Sequence, residues 1–274
     1  MPELPEVETV RKTLLHLVKN KEINDVQVYW DNIIKKPAQQ EIFKQSLIGQ
    51  TIHDIRRKGK FLLFDLNDYV LVSHLRMEGK YGVFPSSTPL LKHTHVVFAF
   101  TDGEELRYND VRKFGTMHLF KKGEEAADKP LSLLGPDPFE DDFDLSIFQS
   151  KIQKSERSIK AILLDQSVIA GLGNIYVDET LFKAGVHPER RGSSLTEKDI
   201  SKIHHAAVDT LLLAIEQGGT TIRSYVNSQG QIGMFQQELF VYGQHNEPCK
   251  KCGSPIAKIK VGGRGTHVCT TCQK

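Results

Sequence analysis

The spacing of apolar residues changes several times along the chain. Val7, Val10, Leu14 and Leu17 recur at intervals of three and four with charges between them. That spacing predicts an amphipathic helix starting near Pro5, whose buried face would fix the N-terminus against a core. From residue 22 to 120 the pattern becomes short β-branched and aromatic runs, at 26–30, 61–64, 69–72, 81–84, 95–100 and 117–120. Turn signals such as Asn67-Asp68, Pro85-Ser86-Ser87 and Asp102-Gly103 separate them. Several short strands at this spacing predict a β-sandwich or barrel. Residues 123–144 are acidic and carry Pro130, Pro136 and Pro138; they read as a linker with one short helical turn.

Helical periodicity returns from residue 145. Residues 159–165 form one predicted helix. Residues 174–184 form another, with Asn174 as N-cap and Gly185 just past its end. A third, long helix lies within 196–217, capped by Thr196 and ended by Gly218-Gly219-Thr220. Near the C-terminus, residues 256–261 and 266–268 flank Gly262-Gly263-Arg264-Gly265, which predicts a β-hairpin with Arg264 at a glycine-rich tip. The class is therefore α+β and multidomain, divided as 1–122, a linker at 123–144, a helical region at 145–235, and a closing segment at 236–274.

The four cysteines sharpen that last segment. They read Cys249-x2-Cys252 and Cys269-x2-Cys272, with sixteen residues between the pairs. This is the spacing of a four-thiolate zinc site. Four protein ligands fill a tetrahedron, so the expectation is one structural Zn2+ with no position left for a catalytic water. No run of about 18 apolar residues is present, so no membrane span is expected, and the N-terminus lacks a secretory signal pattern, so a cytoplasmic protein is expected. The formal net charge of +2 does not by itself announce a nucleic-acid partner. Its distribution says more: Arg56-Arg57-Lys58-Gly59-Lys60 is one basic patch, and residues 248–274 hold six Lys or Arg and no acid. Two basic patches around an acidic stretch suit contact with a polyanion at chosen places, or else are solvated surface charge.

Three stretches could carry chemistry. If Met1 is removed, Pro2 presents a secondary α-amine beside Glu3; such an amine, with a pKa of about 7.7–8.0, is neutral and nucleophilic far more often than a lysine. The neighbouring acid can deliver a proton. The alternative is that Pro2 simply leads into a helix. Gly171-Leu172-Gly173-Asn174 has helical flanks and Tyr176 where a dinucleotide fingerprint needs glycine, so it reads as a glycine turn into a helix N-terminus, able to bind phosphate or merely capping. His74-Leu-Arg-Met77-Glu78-Gly79 and Asp110-Val-Arg112-Lys113-Phe114-Gly115 each set cations beside an apolar residue and end on glycine. Enzymes that flip a base use such apolar wedges; composition alone favours Met77 and Phe114 as core residues.

In order along the chain, Pro2-Glu3-Leu4-Pro5-Glu6-Val7-Glu8, Arg57-Lys58-Gly59-Lys60, His74–Gly79, Asp110–Gly115, Gly171-Leu-Gly-Asn-Ile-Tyr176 and the terminal zinc ribbon resemble the formamidopyrimidine-DNA glycosylase family, end to end. The resemblance implies an N-terminal catalytic β-sandwich with a flanking helix, a helix–two-turn–helix DNA-binding module with a lesion-recognition loop, and a zinc finger. It implies a bifunctional glycosylase and abasic-site lyase of base excision repair that excises oxidised purines from damaged double-stranded DNA, acting as a monomer. By the same resemblance Pro2 is the nucleophile, Glu3 the acid, Lys60 a proton-transfer or phosphate-gripping lysine, and Arg264 a phosphate contact active in the second elimination. His74, His93, Arg112 and Asn174 match DNA contacts. Met77, Arg112 and Phe114 match the group that fills the void of the flipped base, and Glu78, Thr220, Arg223 and Tyr225 the lesion-reading part. Two rivals stand beside this. An endonuclease VIII-type enzyme for oxidised pyrimidines commonly has glycine where this chain has Leu4. A non-catalytic zinc-ribbon DNA-binding protein would need no free Pro2.

Overall fold

A computed structural model describes residues 2–220 and 239–274, which fall into two compact units: residues 2–132 together with Thr220, and residues 133–219 with 239–274. Arg223 and Tyr225 lie outside the described residues.

In the first unit the N-terminal helix α1 runs Leu4–Val18. Val7, Val10, Leu14 and Val18 are buried, Val18 closing the stripe where Leu17 was expected to. Each such side chain contributes about 1.5–3 kcal/mol on burial, so the helix is anchored along its length. Two sheets follow. One has strands ordered β2-β9-β5-β4-β3, built from Ile34–Lys36, Thr116–Lys121, Tyr69–His74, Phe61–Asp65 and Asp54–Lys58. The other is β1-β7-β8-β6, from Ile23–Val28, Thr94–Phe100, Glu104–Asn109 and Lys80–Pro85. Phe64, Leu71 and Met117 of the first sheet and Val26, Phe98 and Leu106 of the second share one core with the apolar face of α1, the arrangement of a sandwich.

Several elements of this unit escaped the apolar pattern, the short strand β2 among them. Helix α2, Gln40–Leu47, has only Phe43 and Leu47 buried. Strand β3 is a strand despite its cations, because only Ile55 points fully inward. Strand β8 reads Glu-Glu-Leu-Arg-Tyr-Asn. Its buried Arg107 donates to the carbonyls of Pro89 and Thr88 and to Glu105, which is the satisfaction a buried charge needs.

The second unit packs helices α3 (Leu145–Gln153) and α5 (Asn174–Ala184) against α6 (Glu197–Glu216), with α4 (Ile159–Leu163) against α5. Asp144, expected to end a linker, caps α3 by accepting from the N–H groups of Ser146 and Ile147. Thr196 forms a capping box with Asp199. Gly185 takes the left-handed conformation, φ 73°, that ends α5. The N-cap of α5 is Gly173; Asn174 is the first helical residue and makes no cap bond. A hairpin closes the chain: β10 (Ala257–Val261) pairs with β11 (Arg264–Val268). Its turn is Gly262-Gly263, both with positive φ as a two-residue turn requires. Arg264 therefore opens strand β11 opposite Val261 rather than standing at the tip.

Candidate functional site

The start of the chain is held by its own helix. Pro2 and Glu3 are buried, and Glu3 is the N-cap of α1, in a reciprocal capping box with Glu6. The Glu3 N–H donates to Glu6 Oε2 at 2.8 Å. The other oxygen of Glu6 accepts from the backbone N–H of Thr220 at 2.8 Å and from its hydroxyl at 3.2 Å. Glu6 is fully buried and uses both oxygens as acceptors, the role of a carboxylate. It thus ties the residue beside Pro2 to Thr220, one of the expected lesion-reading residues.

Lys60 is placed by a turn. Lys58 of β3 pairs with Phe61 of β4, so Gly59-Lys60 is the two-residue hairpin connection; Gly59 has φ 55°, a conformation glycine adopts freely. Arg57 Nη1 donates to the Gly59 carbonyl at 3.0 Å, and Arg57 Nε donates to Glu8 Oε2 at 3.1 Å. Glu8 sits on α1 and also binds Arg11. A relay from helix through Glu8 and Arg57 to the turn therefore fixes Lys60, 7 % exposed, relative to the N-terminal residues. In the neighbouring strand His74 stands opposite Phe61, ring edge to face at 4.5 Å. His74 Nδ1 accepts the N–H of Arg76 at 2.9 Å, which leaves Nε2 to carry the proton. Burial, then the charges of Arg76 and Lys60, push its pKa down to about 3. His74 is accordingly a neutral Nε2–H donor across the physiological range.

The two glycine-ended loops lie over Tyr108. A β-carbon at Gly79 would stand 2.1 Å from the Tyr108 hydroxyl, and one at Gly115 would stand 1.8 Å from it, so only glycine fits at either place. Asp110, fully buried, accepts from the N–H of Arg112 at 3.0 Å and from those of Phe114 and Gly115 at 2.9 Å each. One carboxylate thereby shapes the whole loop. Phe114 projects from it 50 % exposed, with the Arg112 guanidinium 4.8 Å over its ring. Phe114 is therefore not a core residue, and Met77 is only half-buried. Glu78 and His93 are also half-buried, and His93 has φ 69°.

In the second unit, Asn174 Nδ2 donates to the Gly265 carbonyl at 3.0 Å. Lys160 Nζ donates to the same carbonyl at 3.2 Å and to Asp178 Oδ1 at 2.6 Å. The other Asp178 oxygen accepts the His267 N–H at 2.8 Å. Lys160 and Asp178 are both fully buried; their pairing docks strand β11 on α4 and α5 and leaves Arg264 exposed beside the pinned residue. Glu179 accepts the N–H groups of Phe240, Val241 and Tyr242 at 2.8–2.9 Å, and burial raises its pKa. The sulfurs of Cys249, Cys252, Cys269 and Cys272 lie within 4.8 Å of one another. The pairs at 3.5 and 3.9 Å are far too long for disulfides and close to the roughly 3.8 Å edge of a tetrahedron with metal–sulfur bonds of about 2.3 Å. The four cysteines form a metal-binding site.

Sequence reasoning named Pro2, Glu3, Lys60, His74 and the wedge residues. It missed the groups that hold them: Glu6, Glu8, Arg57, Asp110, Lys160, Asp178 and Glu179. All carry the charge expected of surface residues, and the one available signal was Glu6 at the N3 position of a predicted helix, where a capping box is common.

Comparison with known proteins agrees along the whole chain. Residues 1–117 match the formamidopyrimidine-DNA glycosylase N-terminal domain, 134–226 the H2TH domain of the same enzymes, and 246–274 the zinc finger found in FPG and IleRS. The formamidopyrimidine-DNA glycosylase of Bacillus licheniformis is 60% identical over 274 residues, covering 100% of both chains. That of Bacillus subtilis is 59% identical over 273 residues, 100% of this chain and 99% of its own. Among solved structures, the wild-type Lactococcus lactis Fpg in complex with a N7-benzyl-Fapy-dG containing DNA superposes with a TM-score of 0.93 at 43% identity, covering 100% of each chain. The L. lactis Fpg complex with DNA containing an abasic site gives 0.93 at 42%, also over 100% of each.

Proposed function

The chain belongs to the formamidopyrimidine-DNA glycosylase family, and from that premise we propose that it is a bifunctional DNA glycosylase and abasic-site lyase for oxidised purines, with the α-nitrogen of Pro2 as nucleophile. The observation that carries this reading is the burial of Pro2 and Glu3 at the N-terminus of a helix whose third residue, Glu6, holds both the Glu3 backbone and Thr220. A chain end placed so firmly is what a nucleophile needs: misplacement by about 1 Å can cost about 10²-fold in rate.

Loss of Met1 frees the Pro2 amine. Its lone pair attacks C1′ of the flipped nucleoside; the C1′–N bond breaks, and the base leaves with that electron pair and takes a proton. Glu3 supplies a proton to the sugar or the leaving group; Pro2 then gives up its N–H proton, and its nitrogen lone pair breaks the C1′–O4′ bond, O4′ taking a proton, to leave an iminium between Pro2 and C1′. The iminium acidifies the hydrogens on C2′, so β-elimination expels the 3′ phosphate. A second elimination, of a C4′ proton and the 5′ phosphate, completes strand cleavage, and water releases Pro2. Lys60 transfers a proton or grips a phosphate at the fixed turn. His74 donates Nε2–H to a phosphate oxygen. Asn174 and the outward Arg264 contact phosphates, Arg264 also serving the second elimination. Met77, Phe114 and Arg112 fill the void and meet the orphaned base, His93 contacts the backbone, and Glu78 and Thr220, with Arg223 and Tyr225, read the lesion.

The metal site takes one structural Zn2+; four sulfurs at tetrahedral spacing suit it. The enzyme acts as a monomer on damaged duplex in the cytoplasm. No described helix is long and apolar enough to cross a membrane. Leu4 supports the purine enzyme over the endonuclease VIII type. Excision of 8-oxoguanine and of an oxidised pyrimidine from matched duplexes tests the assignment: the purine should be released the faster, and equal or reversed rates would favour the other type. Absence of any borohydride-trapped adduct would favour a non-catalytic binder.

A further inference from the structure

Beside the wedge, the sandwich unit carries a pocket of about 440 Å³. Trp30, Lys35, Arg76 and Lys113 line it, with Met77 and Phe114 as one wall. Small-molecule sites begin at roughly 300 Å³, so it is large enough for one nucleotide. Its charge is one-signed: no acid lines it. Among the described residues neither Arg76 nor Lys113 has a carboxylate partner, and Lys35 donates only to the neutral Asn32 amide, at 3.0 Å. The nearby His118 feels the same field, since burial and then Lys35 lead the causes that hold its pKa down to about 4.

The aromatic floor is half-open. Trp30 packs against His95, ring centroids 5.6 Å apart, and the Lys113 ammonium lies 5.8 Å over its ring. Arg76 and Lys113 have φ of 55° and 58°, a left-handed conformation that side chains other than glycine, asparagine and aspartate seldom adopt. Each immediately precedes a wedge residue, Met77 or Phe114. The fold thus holds two cations in strained backbone on the pocket side of the wedge, and such strain gathers at ligand clamps. Cations that track a backbone beside an aromatic platform form the general arrangement for gripping a strand of nucleic acid.

We propose that this pocket is a subsite for one nucleotide of the strand opposite the lesion, its base stacked on Trp30 and its phosphate held by Lys35, Arg76 and Lys113. The inference rests on the glycosylase reading above. The pocket shares no lining residue with Pro2, Glu3 and Lys60, so it does not receive the nucleotide that is cut. The wedge that forms its wall is assigned to the duplex stack, so a nucleotide against that wall belongs to the strand left intact. The subsite would let the enzyme sense that a complementary strand is present before the lesion is committed to excision.

Trp30 is the only tryptophan of the chain, so its fluorescence reports on the pocket without any substitution. The full chain is titrated with a dye-labelled duplex carrying a tetrahydrofuran abasic-site analogue, and with the lesion strand alone, following dye anisotropy for binding and tryptophan emission for the pocket. The duplex should quench Trp30 and shield it from acrylamide; the single strand, once bound, should leave it accessible. Arg76→Asn and Lys113→Asn remove one charge each with a residue that tolerates positive φ. Each should lower the slope of log K against log salt for duplex by about one and leave the slope for the single strand unchanged. A duplex that binds while Trp30 emission and acrylamide access stay constant overturns the subsite, as does equal shielding by the single strand, or unchanged salt slopes. If borohydride trapping on 8-oxoguanine duplex proceeds normally in that case, only the subsite has failed; if the chain neither binds nor traps, the glycosylase reading has failed with it.

Discussion

Glu6→Gln separates the placement of the nucleophile from its chemistry. The substitution is nearly isosteric, and the proposed mechanism gives Glu6 no bond to make or break. In the structure its two oxygens accept from two different backbone N–H groups, Glu3 and Thr220, each at 2.8 Å. A glutamine has one acceptor oxygen and one NH2 group. Whichever way the amide turns, one of those N–H groups loses its acceptor and faces a donor, in a site with no exposure. Bonds to a charged group contribute about 1.5–3 kcal/mol each, and a stranded buried donor costs about 1–3 kcal/mol. The expected loss is about 2–4 kcal/mol, small enough to leave most of the chain folded. The larger effect should fall on reaction, because the residue beside Pro2 loses its fixed position; single-turnover borohydride trapping on 8-oxoguanine duplex at saturating enzyme should slow by roughly 10–100-fold. Urea denaturation measures the stability term independently. A variant that unfolds at the wild-type midpoint and traps at the wild-type rate would refute the idea that Glu6 positions the amine.

Three further outcomes follow from buried groups. His74 has a folded pKa near 3 against about 6.5 unfolded, so only the unfolded state takes up its proton between those values; stability is full above pH 6.5 and falls as pH drops toward 3, by up to about 1.4 kcal/mol per unit. In urea melts from pH 7 to 5, His74→Gln should flatten that slope, and an unchanged slope would place the titration elsewhere. Lys160→Met leaves Asp178 buried without its cation and should cost about 3–5 kcal/mol, while Lys160→Met with Asp178→Asn, whose amide oxygen can still accept the His267 N–H, should recover much of that in thermal melts; equal losses in both would contradict a charge-pair origin. Removing the metal with a chelator should release one zinc per chain by elemental analysis and expose the amides of β10 and β11 to hydrogen exchange before those of the sandwich. Retained protection there would show that the hairpin does not depend on the metal.

The legible parts of the chain were those where one signal dominates. The stripe of α1, the runs of the buried strands and the paired cysteines each express a single periodicity or spacing, and the helix and strands fall within a few residues of where they were expected. What stayed hidden depended on partners far away in sequence. Strand β8 reads as polar because its Arg107 finds two carbonyls in the loop at residues 88–89. Asn174 looked like a cap because asparagine commonly is one, but Gly173 already takes the extended cap position and frees the amide for the Gly265 carbonyl. Composition favoured Phe114 as a core residue; its exposure goes with Asp110 gathering three N–H groups beneath its loop, which is a contact and not a pattern. Glu6 shows the same limit most sharply: its place in a capping box was readable, its bond to Thr220 was not.

The central claim is that the α-nitrogen of residue 2 becomes the covalent nucleophile. The most direct measurement is peptide mapping by tandem mass spectrometry of the borohydride-reduced adduct formed with 8-oxoguanine duplex. The account predicts that the reduced sugar fragment sits on the nitrogen of Pro2, on chains that have lost Met1, and that chains with a blocked N-terminus form no adduct. A fragment carried on Lys58, Lys60 or any other lysine, or strong trapping by blocked chains, would contradict it.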